Sequence, residues 1–155
     1  MSNSTTAVRF VAFTSQASVR LSEAELAELL RTSRRWNLEA GITGMLLHRN
    51  DGFAQFLEGE PDALEALQAR IREDSRHFGV SILAAGRRAD RNYADWPLGF
   101  ASLEFTKIRA HPDFRDFLEE PVRDEDLVKR PARCRALLRT WEALAEQLMP
   151  GLTKI

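Results

Sequence analysis

GITGMLLHRNDGFAQFLEG, residues 41 to 59, is the stretch on which the fold turns. Two apolar runs, Thr43 to Arg49 and Phe53 to Glu58, flank Asn50-Asp51-Gly52, whose small polar residues accept the tight backbone geometry that returns one strand beside another. Gly41 and Gly44 bracket the entry to the first run, and the whole reads as a β-hairpin. Upstream, residues 8 to 15 are apolar on both faces (Val8, Phe10, Val11, Ala12, Phe13), as a central strand should be. Between them Ser22 and Glu25 form a capping box, so a helix starts near Glu23 and runs to about Leu38. Downstream, Pro61 suits the first position of a second helix, with an apolar stripe through Leu64, Leu67 and Ile71 and an end near Arg76. Two further strand-like runs follow, Val80 to Ala85 and Leu98 to Phe105. The order β-α-β-β-α-β plus a fifth strand predicts an α+β, ferredoxin-like domain with both helices on one sheet face.

A chain of 155 residues, 44% hydrophobic and 29% charged, suits one domain with a sizeable core. A formal net charge of −1 offers no electrostatic footprint for nucleic acid or an anionic membrane, and GRRADR (86–91) reads as a solvated turn. A single cysteine, Cys134, excludes an internal disulfide and a multi-cysteine metal site, and points to a reducing, cytoplasmic compartment. MSNSTTA (1–7) lacks the pattern of a leader and reads as a disordered N-terminus; no apolar stretch reaches spanning length. Past Phe105 the sequence becomes charged and punctuated by proline, with a short helix expected at Asp113 to Glu119 and a longer one from Pro131 to about Met149. The longer helix carries Leu137, Leu138, Trp141, Leu144, Ala145 and Leu148 on one side. Residues 8–105 thus form the core domain, and 106–155 a helical extension that covers the sheet's other face or makes a subunit contact.

The informative residues are polar ones that interrupt apolar stripes. On the first helix Leu26, Leu29, Leu30, Ser33 and Asn37 share a face, so Ser33 and Asn37 point inward; either could also bond local backbone or serve the helix end. On the second, Arg70, Asp74 and His77 form a ridge beside Leu67 and Ile71, a spacing that also suits a surface ion pair. Gln55 shares a strand face with Phe53 and Leu57, and an amide left unpaired among apolar neighbours costs about 1–3 kcal/mol. With both helices on the face that Gln55 points to, these six residues line one slot, which suits a flat heterocycle rich in hydrogen-bonding edges, with Arg70 and His77 placed to meet ribityl or phosphate oxygens.

SRRWN (33–37), GITGMLL (41–47), GFAQFLEG (52–59), IREDSRH (71–77) and WPLGF (96–100) resemble BLUF domains, the blue-light sensors using FAD, over roughly residues 8 to 105. The resemblance implies FAD between the two helices, Asn37 on the isoalloxazine with Ser33 beside it, and Gln55 hydrogen-bonded to flavin N5 and O4. Arg70, Asp74 and His77 would lie toward the ring's other edge and its side chain, with Leu29, Trp36, Phe53 and Ile71 as apolar walls. The family's photochemistry also implies a tyrosine on the first strand, which gives an electron and a proton to the excited flavin while the glutamine rearranges. Here that position is Phe13, which has no hydroxyl, and the usual switch is expected to be impaired or abolished. Tyr93, the one tyrosine in the chain, falls in a loop.

At Leu98 many relatives carry methionine; leucine fills a similar volume without the thioether. Trp36 and Trp96 are alternative electron donors or plain packing residues. A light-independent interaction module that acts through its C-terminal helices is the competing reading, with a homo-oligomer and an unknown downstream protein as partners in either case. Against an RNA-binding domain, no aromatic RNP-like motif appears; against an enzyme, no nucleophile–base pair or metal cluster appears. A cysteine-based flavin sensor is disfavoured because Cys134 lies in the extension.

Overall fold

The computed structural model describes residues 7–49 and 52–153. The expected disordered N-terminus (1–7) lies outside these except for residue 7, and so do Asn50 and Asp51 of the hairpin turn. Five strands, β1 (Val8–Ala17), β2 (Thr43–Arg49), β3 (Gly52–Gly59), β4 (His77–Arg88) and β5 (Gly99–Ser102), form one sheet in the order β4-β1-β3-β2-β5. β1 pairs antiparallel with β3 and β4, β2 antiparallel with β3, and β5 parallel to β2, giving the mixed ferredoxin-like sheet with its added strand. Helices α1 (Glu23–Ala40) and α2 (Pro61–Glu73) follow β1 and β3 and lie on one face.

Local chemistry accounts for the element ends. The Ser22 hydroxyl accepts from the Glu25 amide at 3.1 Å while the Glu25 carboxylate accepts from the Ser22 amide at 3.0 Å, closing the capping box. α1 ends at Gly41, whose φ of 70° is left-handed and favours glycine, and the Ile42 amide returns to the Asn37 carbonyl at 2.9 Å. Gly44 is demanded by close approach: a Cβ there would sit 2.0 Å from the Phe56 carbonyl oxygen on the neighbouring strand.

Several boundaries depart from the sequence reading. α2 stops at Glu73, three residues short of Arg76, because the Asp74 carboxylate accepts the Arg76 amide at 2.9 Å and turns the chain out of the helix. Asp74 caps α2 and His77 opens β4, so the expected helical ridge of Arg70, Asp74 and His77 does not exist as such. β4 is longer than Val80–Ala85, since its ladder with β1 runs from Ala17–His77 to Val8–Arg88. Gly86 to Arg88 are therefore strand rather than turn. Arg91 is not solvated either, since its guanidinium donates to Thr43 Oγ1 at 2.9 Å and to the Glu58 carbonyl. β5 is shorter than Leu98–Phe105 because its partner β2 offers pairing only as far as His48–Ser102.

The C-terminal segment forms α3 (Thr106–Arg109), a single 3₁₀ turn (Pro112–Phe114), α4 (Arg115–Glu119), α5 (Asp126–Lys129), α6 (Pro131–Leu148) and α7 (Pro150–Thr153). Phe10 stacks on Phe56 on the face away from α1 and α2, Tyr93 meets Phe56 edge-on at 5.2 Å, and the Tyr93 hydroxyl donates to the Leu127 carbonyl at 2.9 Å. Along β5, Trp141 of α6 packs edge-on to Phe100 and against Phe105. The extension thus buries the second face over β3, β2 and β5, the first of the two roles expected for it, and leaves β4 uncovered.

Candidate functional site

The two helices and the sheet line a slot that opens to solvent. α1 supplies Leu29, Ser33, Trp36 and Asn37; alternate β3 positions supply Phe53, Gln55 and Leu57; α2 and the turn after it supply Arg70, Ile71, Asp74 and Arg76; the first residue of β4 supplies His77, and Leu98 also lines the slot. Period-2 alternation puts the three β3 side chains on one face, and helical spacing aims Ser33 and Asn37 at them. All six polar residues singled out in the sequence therefore line one cavity, although Asp74 and His77 arrive there from a turn and a strand rather than from a helix.

Asn37 is buried, and its Nδ2 donates to the Pro97 carbonyl at 2.7 Å, tying α1 to the segment before β5. The Gln55 amide makes no hydrogen bond among the described residues. Arg70 lays its guanidinium over the Trp36 ring, 5.0 Å from the centroid. His77 Nε2 hydrogen-bonds the Ile71 carbonyl, which pins the start of β4 to the end of α2. The expected Arg70–Asp74 pair is replaced by Arg76–Asp74, and the Arg76 hydrogen bonds hold the Asp74 carboxyl below its ordinary range.

Phe13 and Trp96 lie outside the slot. Phe13 is Gln55's direct cross-strand neighbour, buried, and lines a small adjacent groove with Ile71, Val80 and Ile82. Trp96 turns toward α6, where its indole N–H donates to the Glu142 carboxylate and Arg139 covers its ring. Arg34 donates from Nε to the Leu98 carbonyl at 2.8 Å, and burial holds its guanidinium below the ordinary range, offset in part by Glu142. Tyr93 is in a loop, as expected, but it is packed into the opposite face.

The sequence reading passed over Ser15, Arg76 and Leu46. Ser15 was detectable, since it lies two residues from Phe13 on β1 and so shares its face. Its Oγ is buried, borders the slot and has no hydrogen-bond partner among the described residues. An orphaned hydroxyl, a free Gln55 amide and the Asn37 amide around an apolar floor fit a flat ring with polar edges, and Arg70 with His77 fits its anionic or hydroxylated tail.

The family of sensors of blue light using FAD (BLUF) matches residues 8–99. The chain belongs to it. This BLUF domain is 35% identical over 116 residues to the photoactivated adenylate cyclase subunit beta of Euglena gracilis, an alignment covering 74% of this chain but 13% of that protein. Among solved structures it is similar to BlrB, a BLUF protein in its dark state, at 25% identity and a TM-score of 0.67, covering 84% of this chain and 96% of that one. It is also similar to Klebsiella pneumoniae BlrP1 with FMN and cyclic diGMP, at 26% identity and a TM-score of 0.60, covering 90% and 35%. The BLUF family binds flavin, and the chain is a blue-light sensor domain of that type. No helix among the described residues is long and apolar enough to cross a membrane.

Proposed function

We propose that this BLUF domain holds FAD in the slot and reads blue light through Gln55, with a switch that Phe13 alters or abolishes. Bound flavin supplies a ring that absorbs blue light and, once excited, takes an electron from a nearby donor. The protein's part is to bind, orient and exclude water. Gln55 and Asn37 present amides to the ring's polar edge, and Leu29, Phe53, Leu57, Ile71 and Leu98 keep that edge dry. Arg70 and His77 face the tail. Phe13 stands where a phenol would supply electron and proton; its ring has no O–H to give and is a poorer donor. Trp36, in the slot wall, is a better-placed substitute than Trp96.

The observation that carries this reading is the Gln55 side-chain amide, which lines the slot without a hydrogen-bond partner among the described residues and lies directly opposite Phe13. The test is an absorption spectrum of purified protein in the dark and after blue light, beside Phe13→Tyr, with the extracted ligand chromatographed against FAD and FMN. Bound FAD, no lasting red shift in the unaltered protein and a gain of one in Phe13→Tyr are expected. A normal reversible red shift without the substitution overturns the impaired switch, and colourless protein from both overturns the binding.

Phe13 also favours a second reading, a light-independent interaction module that uses the same scaffold and signals through its C-terminal helices. Protein that stays colourless after incubation with FAD supports it. On either reading the domain acts as a homo-oligomer on a downstream protein, and the lone buried Cys134 suits a reducing cytoplasm.

A further inference from the structure

Ser15 is 2% exposed, and its Oγ borders the slot with no hydrogen-bond partner among the described residues. A buried hydroxyl is ordinarily paired, because the water it gives up on folding has to be replaced. The strand around it is irregular on one side only. Against β4, the β1 register shifts between Ala12 and Phe13 and again between Thr14 and Gln16, so the pairing passes over Ser15. Against β3 the register is unbroken, with Phe13 opposite Gln55 and Ser15 opposite Phe53. Such irregularities re-aim side chains and gather beside functional sites.

Gln55 has the complementary need. Its direct neighbours on the two flanking strands are Phe13 on β1 and Leu46 on β2, and neither side chain carries a polar atom. Ser15 is its diagonal neighbour on β1, at a Cβ separation of about 7 Å that a glutamine side chain can span. On the β4 side, His77 stands opposite Ala17 and commits Nε2 to the Ile71 carbonyl. A primary amide has an acceptor at one end and two donors at the other, so a hydroxyl that holds the oxygen also decides which end faces a ligand.

We propose that Ser15 is a positioning residue for the flavin site: with the ring in the slot, the Ser15 O–H donates to Gln55 Oε1 and turns Nε2 toward the ring's acceptor edge. In a chain with phenylalanine at position 13, this is the orienting contact that the directly opposed residue cannot supply. The proposal rests on the flavin reading above and adds to it a residue that acts through Gln55.

The test is a double-substitution cycle on the full chain: unaltered, Ser15→Ala, Gln55→Leu and both together. Each is titrated with FAD by fluorescence, and the loaded forms are compared by dark absorption spectrum and by NMR of the Gln55 side-chain amide. Ser15→Ala should weaken FAD binding about three- to tenfold, shift the Gln55 amide resonances and move the flavin band to shorter wavelength; with Gln55→Leu already in place it should change neither affinity nor band. The flavin-free Ser15→Ala chain should melt no lower than the unaltered one, since the substitution removes a hydroxyl that the fold leaves unpaired. A lower melting temperature would mean that the hydroxyl is bonded within the fold and would overturn the premise. An effect on affinity that persists undiminished without Gln55, with the amide resonances unmoved in Ser15→Ala, overturns positioning in favour of direct contact with the ring. No effect on affinity, resonances or band overturns any part for Ser15 and leaves flavin binding intact, whereas an unaltered chain that takes up no FAD overturns the flavin reading and this proposal with it.

Discussion

Phe13 and Gln55 face each other across adjacent antiparallel strands, and both side chains leave the sheet on the side of α1 and α2. Directly opposed residues of such a pair have Cβ atoms roughly 5 Å apart. Phe13 is 2% exposed, so its ring is part of the core whatever the flavin does. Phe13→Ala should lower unfolding stability by about 3–5 kcal/mol, whereas Phe13→Tyr, equal in packing volume, should cost less than about 1.5 kcal/mol. Urea denaturation of the two variants measures the difference. Equal losses would place Phe13 in a site that does not tolerate a hydroxyl at all.

Asn37 joins the slot to the segment before β5 through its bond to the Pro97 carbonyl. Asn37→Ala strands that carbonyl and should cost about 1–3 kcal/mol of stability. On the flavin reading it also weakens the cofactor's hold about tenfold or more, measured by flavin fluorescence as the ligand is titrated. Unchanged affinity beside lowered stability would leave Asn37 a structural residue only.

Glu58 is a fully buried carboxylate that accepts from Thr43 Oγ1 at 2.9 Å and from the Asn92 and Tyr93 amides at 2.8 Å each. Glu58→Gln puts an N–H toward donors that need an acceptor, and about 2–4 kcal/mol of stability should be lost. The loop at residues 91–93 should then become the first site of proteolytic cleavage, because that carboxylate holds it to the sheet. Cleavage elsewhere with the loop intact would contradict this.

Burial pushes the Cys134 thiol from 9.0 up to about 11, against the opposing pull of the neighbouring Tyr93 hydroxyl. Burial raises Tyr93 in the same direction. The folded chain therefore keeps protons that the unfolded chain releases, and the sign follows: this stability is fully present below pH 9 and is lost as pH rises toward 11. The thiol's share is about 2–3 kcal/mol at the top of that range. Urea midpoints at pH 8 and pH 10.5 should show the fall, and Cys134→Ala should make it shallower, leaving the part that Tyr93 contributes. A flat profile in the unaltered protein would mean that the thiol meets water.

Much of the fold could be read from local signals because local bonds decide those features. The capping box at Ser22, Pro61 at the start of α2 and the alternation through Phe53, Gln55 and Leu57 each involve residues a few positions apart. The end of α2 was misread because helical periodicity continues past Asp74, while the Asp74 side chain prefers to bond its own backbone. The extent of β4 and β5 could not be read at all, since a strand lasts as long as its neighbour offers hydrogen bonds.

The same division holds at the site. By itself the sequence determined that Ser33, Asn37 and Gln55 share faces with apolar neighbours and line the slot, because face follows from backbone period alone; Asp74 and His77 reach it from a turn and a strand that the period does not give. Only the tertiary structure decided that the Ser15 hydroxyl has no partner there among the described residues, that Trp96 serves α6 instead of the slot, and that β4 stands at an edge of the sheet. Those outcomes depend on which groups from distant parts of the chain occupy the same space, and no local pattern carries that information.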